Sequence, residues 1–241
     1  LGNVTTTLLD YGVKNILIEK PGSLYVEELE KIRRVEKDKC GKIYIAYNRR
    51  FYESVRFLKK ILLEGESITS VRFEFTEWIH RMDLEKINFD VQQNWITANS
   101  SHVLDTVFFL AGYPKQETCY SYQSCPLSWH SSGSIFFGCG KTTQNIPFTY
   151  HSDWNSAGRW GIEVFTNEGK YILCPLEKLQ FQKKGSIALQ PVEIDDVLDQ
   201  EYKPGLYRMV NEFLNEEKSS HCSLNDQINN LGFIKRIAGY K

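Results

Sequence analysis

Long hydrophobic runs are missing from this 241-residue chain. No stretch of about eighteen apolar residues occurs, so no segment reads as a membrane-spanning helix. A surplus of one charge is missing too. The 29 Lys and Arg stand against 30 Asp and Glu, with no basic block, which argues against a nucleic-acid partner. The six cysteines (Cys40, Cys119, Cys125, Cys139, Cys174 and Cys222) form no Cys-x-x-Cys pair and have no histidines at ligand spacing. No metal site is therefore expected, and scattered free thiols fit a reducing, cytoplasmic setting. No signal peptide is visible. The chain begins at Leu1, which leaves a targeting segment before it open. A Gly-x-Gly-x-x-Gly is also absent: Gly138-Cys139-Gly140 lacks the third glycine and the helix pattern that should follow.

What is present is ordinary for a globular protein with a large core: 41% hydrophobic and 24% charged residues, with a generous 13% aromatic share. The stretch Asn15 to Gly22 organises the first part. Ile16, Leu17 and Ile18 read as a short strand buried on both faces, the type found in parallel sheets. Pro21 ends it and biases Lys20 toward extended backbone. A lysine is thereby fixed at the carboxyl end of a buried strand, where open α/β sheets place their ligands. The plain alternative is a surface lysine beside a strand-ending proline.

Around that strand the pattern gives a helix over 3–10, a helix from Ser23 with Val26, Leu29, Ile32 and Val35 as its apolar face, and a strand over 42–47. Helix, strand, helix, strand is the second half of a doubly wound nucleotide-binding domain, here assigned to residues 1–50. A helix with Val55, Leu58, Leu62 and Leu63 follows, and from Ile68 the pattern changes. Val71 to Trp78 alternates strictly, which is an antiparallel strand with one buried face. Residues 80–94 read as a loop and 98–112 as a helix closed by Gly112. Strands are predicted at 116–123, 134–140, 146–154, 159–166, 170–174 and 178–183, and helices at 207–217 and 223–239. The fold class is α/β followed by α+β. Residues 51–241 are expected to form a substrate-binding and dimerisation domain, a large, mostly antiparallel sheet with helices on one face, whose terminal helices can pack back on the first domain.

Two constellations could carry chemistry. Arg49 and Arg50 lie between a strand end and a helix start, where anions are often held; a solvated charge pair is the alternative. His102 and Asp105 are three apart and share a helix face near its N-terminus, where the dipole keeps an imidazole neutral and suited to act as a base. A histidine that merely hydrogen-bonds at a helix start is the alternative there.

Ile18-Glu19-Lys20-Pro21, Ala46-Tyr47-Asn48-Arg49-Arg50-Phe51, and Ser101-His102-Val103-Leu104-Asp105 with Gly112 occur in an order and spacing that resembles the glucose–fructose oxidoreductase/inositol dehydrogenase (Gfo/Idh/MocA) family. Tyr150-His151-Ser152-Asp153-Trp154 and Ala157-Gly158-Arg159-Trp160-Gly161 resemble a subgroup of it. The likeness spans essentially the whole chain. It implies an NAD- or NADP-dependent oxidoreductase acting on a sugar, polyol or nucleotide-linked sugar. On that resemblance Lys20 and His102 are the catalytic pair, and Glu19, Lys20, Pro21 and Arg49 are cofactor contacts.

Two departures stand out. Where the family has an Asp four residues before the histidine, this chain has Ala98, and Asn99 points about 100° around the helix. Asp105 or Asp153 would then orient the site. The first half of the nucleotide-binding domain is also absent from the sequence, so the chain reads as N-terminally truncated. The substrate pocket is expected from Trp95, Asn99, Asp105, His151, Asp153, Arg159 and Trp160, whose aromatic faces suit sugar rings and whose charges suit hydroxyls or a phosphate. In the alternative, Trp154 and Trp160 are sheet core and Arg159 pairs with an acid.

Apolar residues on both strand registers, among them Phe136, Phe165 and Tyr171 opposite Phe148, Tyr150 and Trp154, point to a homodimer or dimer of dimers through the sheet face over 116–183. The family resemblance implies the same. Two other readings stay beside the enzyme: a non-catalytic dimerising module, and a small-molecule-binding regulator.

Overall fold

The computed structural model describes residues 2–115, 118–215 and 218–240. Its first layer is α1 (Gly2–Asp10), β1 (Asn15–Ile18), α2 (Val26–Asp38) and β2 (Lys42–Ile45). The two strands pair in parallel from Asn15↔Lys42 to Ile18↔Ile45. Ile16, Ile18, Ile43 and Ile45 are buried, whereas Leu17 is half-buried against Ala46, Phe51 and Met209. The second face of β1 is thus less enclosed than its Ile-Leu-Ile run implies. Tyr25 caps α2 without a side-chain bond, and Glu27 and Glu28 in its first turn complement the dipole.

After β2 a tight turn over Asn48–Phe51 leads into α3 (Glu53–Leu63) and β3 (Ile68–Phe75). The expected loop contains a short helix, α4 (Phe89–Gln93), because Asn88 caps it by accepting from the Asp90 amide. A π-helical turn at Ile96–Ser100 then runs into α5 (Ser101–Ala111), of which only Phe109 is not buried. The strands β4 (Tyr120–Ser124), β5 (Ile135–Lys141), β6 (Pro147–Asp153), β7 (Trp160–Thr166), β8 (Gly169–Leu173), β9 (Gln180–Lys183) and β10 (Gln190–Pro191) follow. The chain closes with α6 (Val197–Glu201), α7 (Leu206–Leu214), β11 (Cys222–Ser223) and α8 (Leu224–Ala238). Residues 116 and 117, expected in a strand, and 216 and 217, expected in a helix, lie outside the described residues.

Eight strands form one sheet in the order β10-β9-β8-β7-β3-β6-β5-β4. Only the β3–β6 pair is parallel. Its inner face presents Phe73, Phe75, Phe148, Tyr150, Ile162 and Val164 to α5 and α8. Phe108 of α5 and Phe233 of α8 meet edge to face at 5.1 Å within that layer.

Two sidedness assignments need correction. Phe136 pairs with the inward Ser152 and is fully enclosed beside Phe75 and Trp154. Tyr171 pairs with the inward Val164 and is buried against Phe181. A one-residue difference in register moves a side chain to the other face, and these registers are fixed only by pairing. The outer face carries Tyr122 stacked on Phe137, together with the charges of Arg72, Glu163 and Lys170.

The small sheet is completed from the other end of the chain, since β11 pairs antiparallel with β2. A capping box of Ser223 and Asp226 opens α8 there. Further along α8, Gln227 donates to the Pro21 carbonyl (2.8 Å). That bond ties α8 to the turn that carries Lys20.

Candidate active site

The Lys20 turn meets the start of α5. At the end of β1 the chain reverses through a turn closed by the Gly22 amide donating to the Glu19 carbonyl (3.0 Å), and the Lys20–Pro21 peptide within it is cis. Glu19 points to solvent. Lys20 instead reaches across to the π-helical turn before α5, where its Nζ donates to the Ala98 carbonyl (2.6 Å). Ala98 therefore serves the site through its backbone, and His102 stands about one helical turn further on. Burial, then the neighbouring Arg49 guanidinium, holds the Lys20 ammonium below its ordinary range.

His102 is 6% exposed, and its Nδ1 is buried without a hydrogen-bond partner. Its ring packs edge-on to Tyr47 (5.5 Å) and tilted to Trp160 (6.0 Å). Burial first, then the positive charges of Arg49, Lys20 and Lys203, keeps it well below the ordinary histidine range. It is a neutral imidazole at neutral pH. The sequence reading reached the same state from the helix dipole, whereas burial and the surrounding cations are what lower it here.

A residue that sequence reasoning passed over anchors the other side. Glu77 is 3% exposed and accepts from the Ser100 hydroxyl (2.5 Å), the Asn99 amide (2.9 Å) and the Trp160 indole N–H (3.2 Å). Arg159 lies 3.7 Å from the oxygen that accepts from Asn99. Burial raises its pKa against these four stabilising partners. The signal was available: Glu77 follows Val71, Phe73 and Phe75 on the buried register of an alternating strand, where a carboxylate needs partners. Asn99 and Trp160 are thus held on one carboxylate, and Arg49 lies over the Trp160 ring at 4.9 Å.

Four expected members are placed elsewhere. Asp105 is fully buried and bound bidentately by Arg50 (2.6 and 2.8 Å), with Asn230 adding a third bond (3.0 Å). It is a structural carboxylate, because Arg50 is not the solvated charge its neighbour Arg49 made it look; Arg50 is 2% exposed. His151 lies on the outward register of β6, since Phe148, Tyr150 and Ser152 take the inward one. Asp153 shares that outward parity and accepts from the Asn155 amide (2.9 Å) in the following turn. Trp95 packs edge-on to Trp129 (6.3 Å), which stacks on Trp154 (5.8 Å), in an aromatic cluster of its own. As in the alternative reading, Trp154 and Trp160 are both buried in the core and Arg159 pairs with an acid, Glu77; Trp160 also packs beside His102.

Lys20 and His102 fit the reacting end of a nicotinamide and an alcohol: one cation bonded only to a carbonyl, and one neutral imidazole with a buried nitrogen unpaired. The pyrophosphate end does not fit in the same way. The 241 residues hold no glycine-rich phosphate turn, and the helix after β1 opens with Glu27 and Glu28, which repel an anion. Among the described residues no group of acids, histidines and cysteines could hold a metal ion, and no helix is long and apolar enough to cross a membrane.

No protein-family model and no curated protein matches this chain. Solved structures do. An inositol dehydrogenase homologue from Azotobacter vinelandii, complexed with NADH and myo-inositol, superposes with a TM-score of 0.74 at 13% identity, over 99% of this chain and 72% of its own. UDP-N-acetylglucosamine 3-dehydrogenase GnnA from Acidithiobacillus ferrooxidans gives 0.73 at 14%, over 99% and 74%. The WlbA dehydrogenase from Bordetella pertussis, in complex with NADH and UDP-GlcNAcA, gives 0.71 at 11%, over 99% and 72%. The fold of this chain is the fold of the Gfo/Idh/MocA-type oxidoreductases.

Proposed function

We propose that the protein is an NAD- or NADP-dependent oxidoreductase acting on a hydroxyl of a sugar, polyol or nucleotide-linked sugar. The observation that carries this reading is the meeting of Lys20 and neutral His102 at the start of α5. A bound nicotinamide supplies the hydride acceptor or donor. For oxidation, His102 takes the hydroxyl proton as the carbon loses its hydride. Lys20, held against the Ala98 carbonyl, directs its remaining N–H bonds to the developing alkoxide and stabilises it. Glu77 fixes Trp160 and Asn99, so that one indole face and one amide stay in place around the imidazole. Arg49, Pro21 and Glu19 line the approach from β1 and the turn after β2.

The protein also assembles, in this reading, as a homodimer or dimer of dimers through the outer face of the eight-stranded sheet. A second reading, a small-molecule-binding or dimerising module without hydride chemistry, is favoured by one observation, the apolar Ala98 one helical turn before His102, which gives the imidazole no carboxylate partner. Fluorescence titration of the chain with NADH and NADPH separates the two. Saturable binding of either supports the oxidoreductase, and no binding of both supports the module.

A further inference from the structure

Beyond the Lys20–His102 pair, guanidinium groups and indole rings alternate in a row that runs out to the surface. Arg49 lies over Trp160 at 4.9 Å; Arg159 lies over Trp160 at 4.7 Å and over Trp78 at 4.8 Å; Arg81 lies over Trp78 at 4.7 Å. Trp160 is also the ring beside His102. Two stretches distant in sequence build the row: the segment that leaves β3 and the turn between β6 and β7. They are joined by the Trp78 indole N–H donating to the Gly158 carbonyl (2.7 Å). Gly158 itself permits the close approach, since a Cβ there would collide with the Glu74 carboxylate.

Stacking on a ring uses the face of a guanidinium and leaves its N–H edge free to bind an anion in its plane. Two acids lie by Arg159: Glu77, ion-paired with it, and Glu74, beside Gly158. Glu77 stands 3.7 Å from Arg159 and already accepts from three other donors. Asp83, two residues beyond Arg81, pairs with Lys86 (2.7 Å). Trp78 and Arg159 are exposed, at 38% and, for the arginine side chain, 42%. Arg81, Trp78 and Arg159 therefore form a solvent-facing strip, which the buried Trp160 ring joins to the imidazole.

We infer that Arg81, Trp78 and Arg159 form a subsite for the charged portion of the substrate, a sugar carrying a phosphoryl or carboxylate group. Trp160 contacts both His102 and Arg159, so the anion is held one indole away from the reacting hydroxyl. Trp78 in turn carries both Arg159 and Arg81, which provides a place for a further anion. Arg159 fixes the charge by an in-plane, charge-assisted contact, and Trp78 holds the two guanidiniums in place. The position of the hydroxyl rests on the oxidoreductase reading; the binding of the anion does not.

Calorimetric titration of the whole chain tests this without turnover. The probes are glucose, glucuronate, glucose 6-phosphate and UDP-glucose, at low and at raised salt. At least one charged sugar is expected to bind about tenfold or more tightly than glucose, and the advantage should shrink as salt screens it. Arg159→Gln and Arg81→Gln, both at exposed positions, should each remove most of the advantage, and Trp78→Ala should weaken UDP-glucose most. Tighter glucuronate identifies a carboxylate as the preferred anion, and tighter phosphorylated sugars identify phosphate. Equal affinity for glucose and all three charged probes, no binding of any charged probe, or a preference that survives the double variant would overturn the subsite. An inactive chain that keeps the anion preference would count against the hydride reading and for the subsite.

Discussion

Three cations, Arg49, Lys20 and Lys203, act on His102 after burial has already lowered its pKa. The consequence for pH is definite in sign. A base must be unprotonated to take a proton, so oxidation is lost as pH falls through the base's pKa, and here that point lies well below the usual 6.5. Alcohol oxidation at pH 6.5 is therefore expected to run close to its rate at about pH 7.5, with the acid limb lower still. An acid limb centred on an ordinary histidine value would contradict this environment for His102. Lys20→Ala and His102→Ala should each lower turnover by about a hundredfold or more, with substrate binding changed less. Initial rates across a substrate series provide the check, and near-normal turnover in both variants removes the pair from the mechanism. The sequence made Lys20 and His102 readable because Pro21 and the helix pattern fixed where each lies. It did not make Glu77 readable as part of the site, because its partners Asn99, Ser100 and Trp160 come from two other elements.

At the scale of elements, the joint between the tight turn after β2, α5 and α8 is built on a buried ion pair. Arg50 and Asp105 are bound bidentately and both enclosed, with Asn230 of α8 bonded to the same carboxylate. Removing one partner leaves an uncompensated buried charge. Asp105→Ala is thus expected to destabilise the fold by about 3–5 kcal/mol, read as a shift of the denaturant midpoint. A loss under 1 kcal/mol would show that the pair is not as enclosed as its geometry indicates. Asp105 also illustrates where sequence reasoning stops. Its spacing from His102 is a true helical neighbour relation, but spacing does not say which of two faces a distant arginine will claim. Likewise the alternation of β3 was legible from its own residues. The sidedness of Phe136 and Tyr171 was not, because pairing registers with Ser152 and Val164 decide it. The short helix α4 was hidden by a five-residue length too small for a periodic signal.

For the whole molecule, the order of elements was legible throughout: a parallel pair flanked by helices, then a long antiparallel series. What the sequence did not show is a last strand, β11, in the small sheet. β11 pairs with β2 and α8 packs beneath the large sheet, so one hydrophobic core runs from Leu9 to Ala238. The outer face of that sheet is the proposed assembly surface. It is more polar than the sequence suggested, yet Tyr120, Tyr122 and Phe137 remain exposed together at the β4–β5 end. Sedimentation velocity at micromolar concentration is expected to give a dimer or a dimer of dimers, and Phe137→Lys is expected to shift it toward monomer. A wild-type chain that sediments as a stable monomer would refute the assembly.

The most direct measurement of the central claim is nicotinamide-coupled oxidation across a panel of sugars, polyols and nucleotide-linked sugars, with NAD and with NADP, comparing the wild-type chain with His102→Ala. Reduced nicotinamide is expected from at least one substrate and cofactor pair, with a fall of about a hundredfold or more in turnover in the variant. No reduced nicotinamide with any pair, or equal turnover with and without the imidazole, would contradict it.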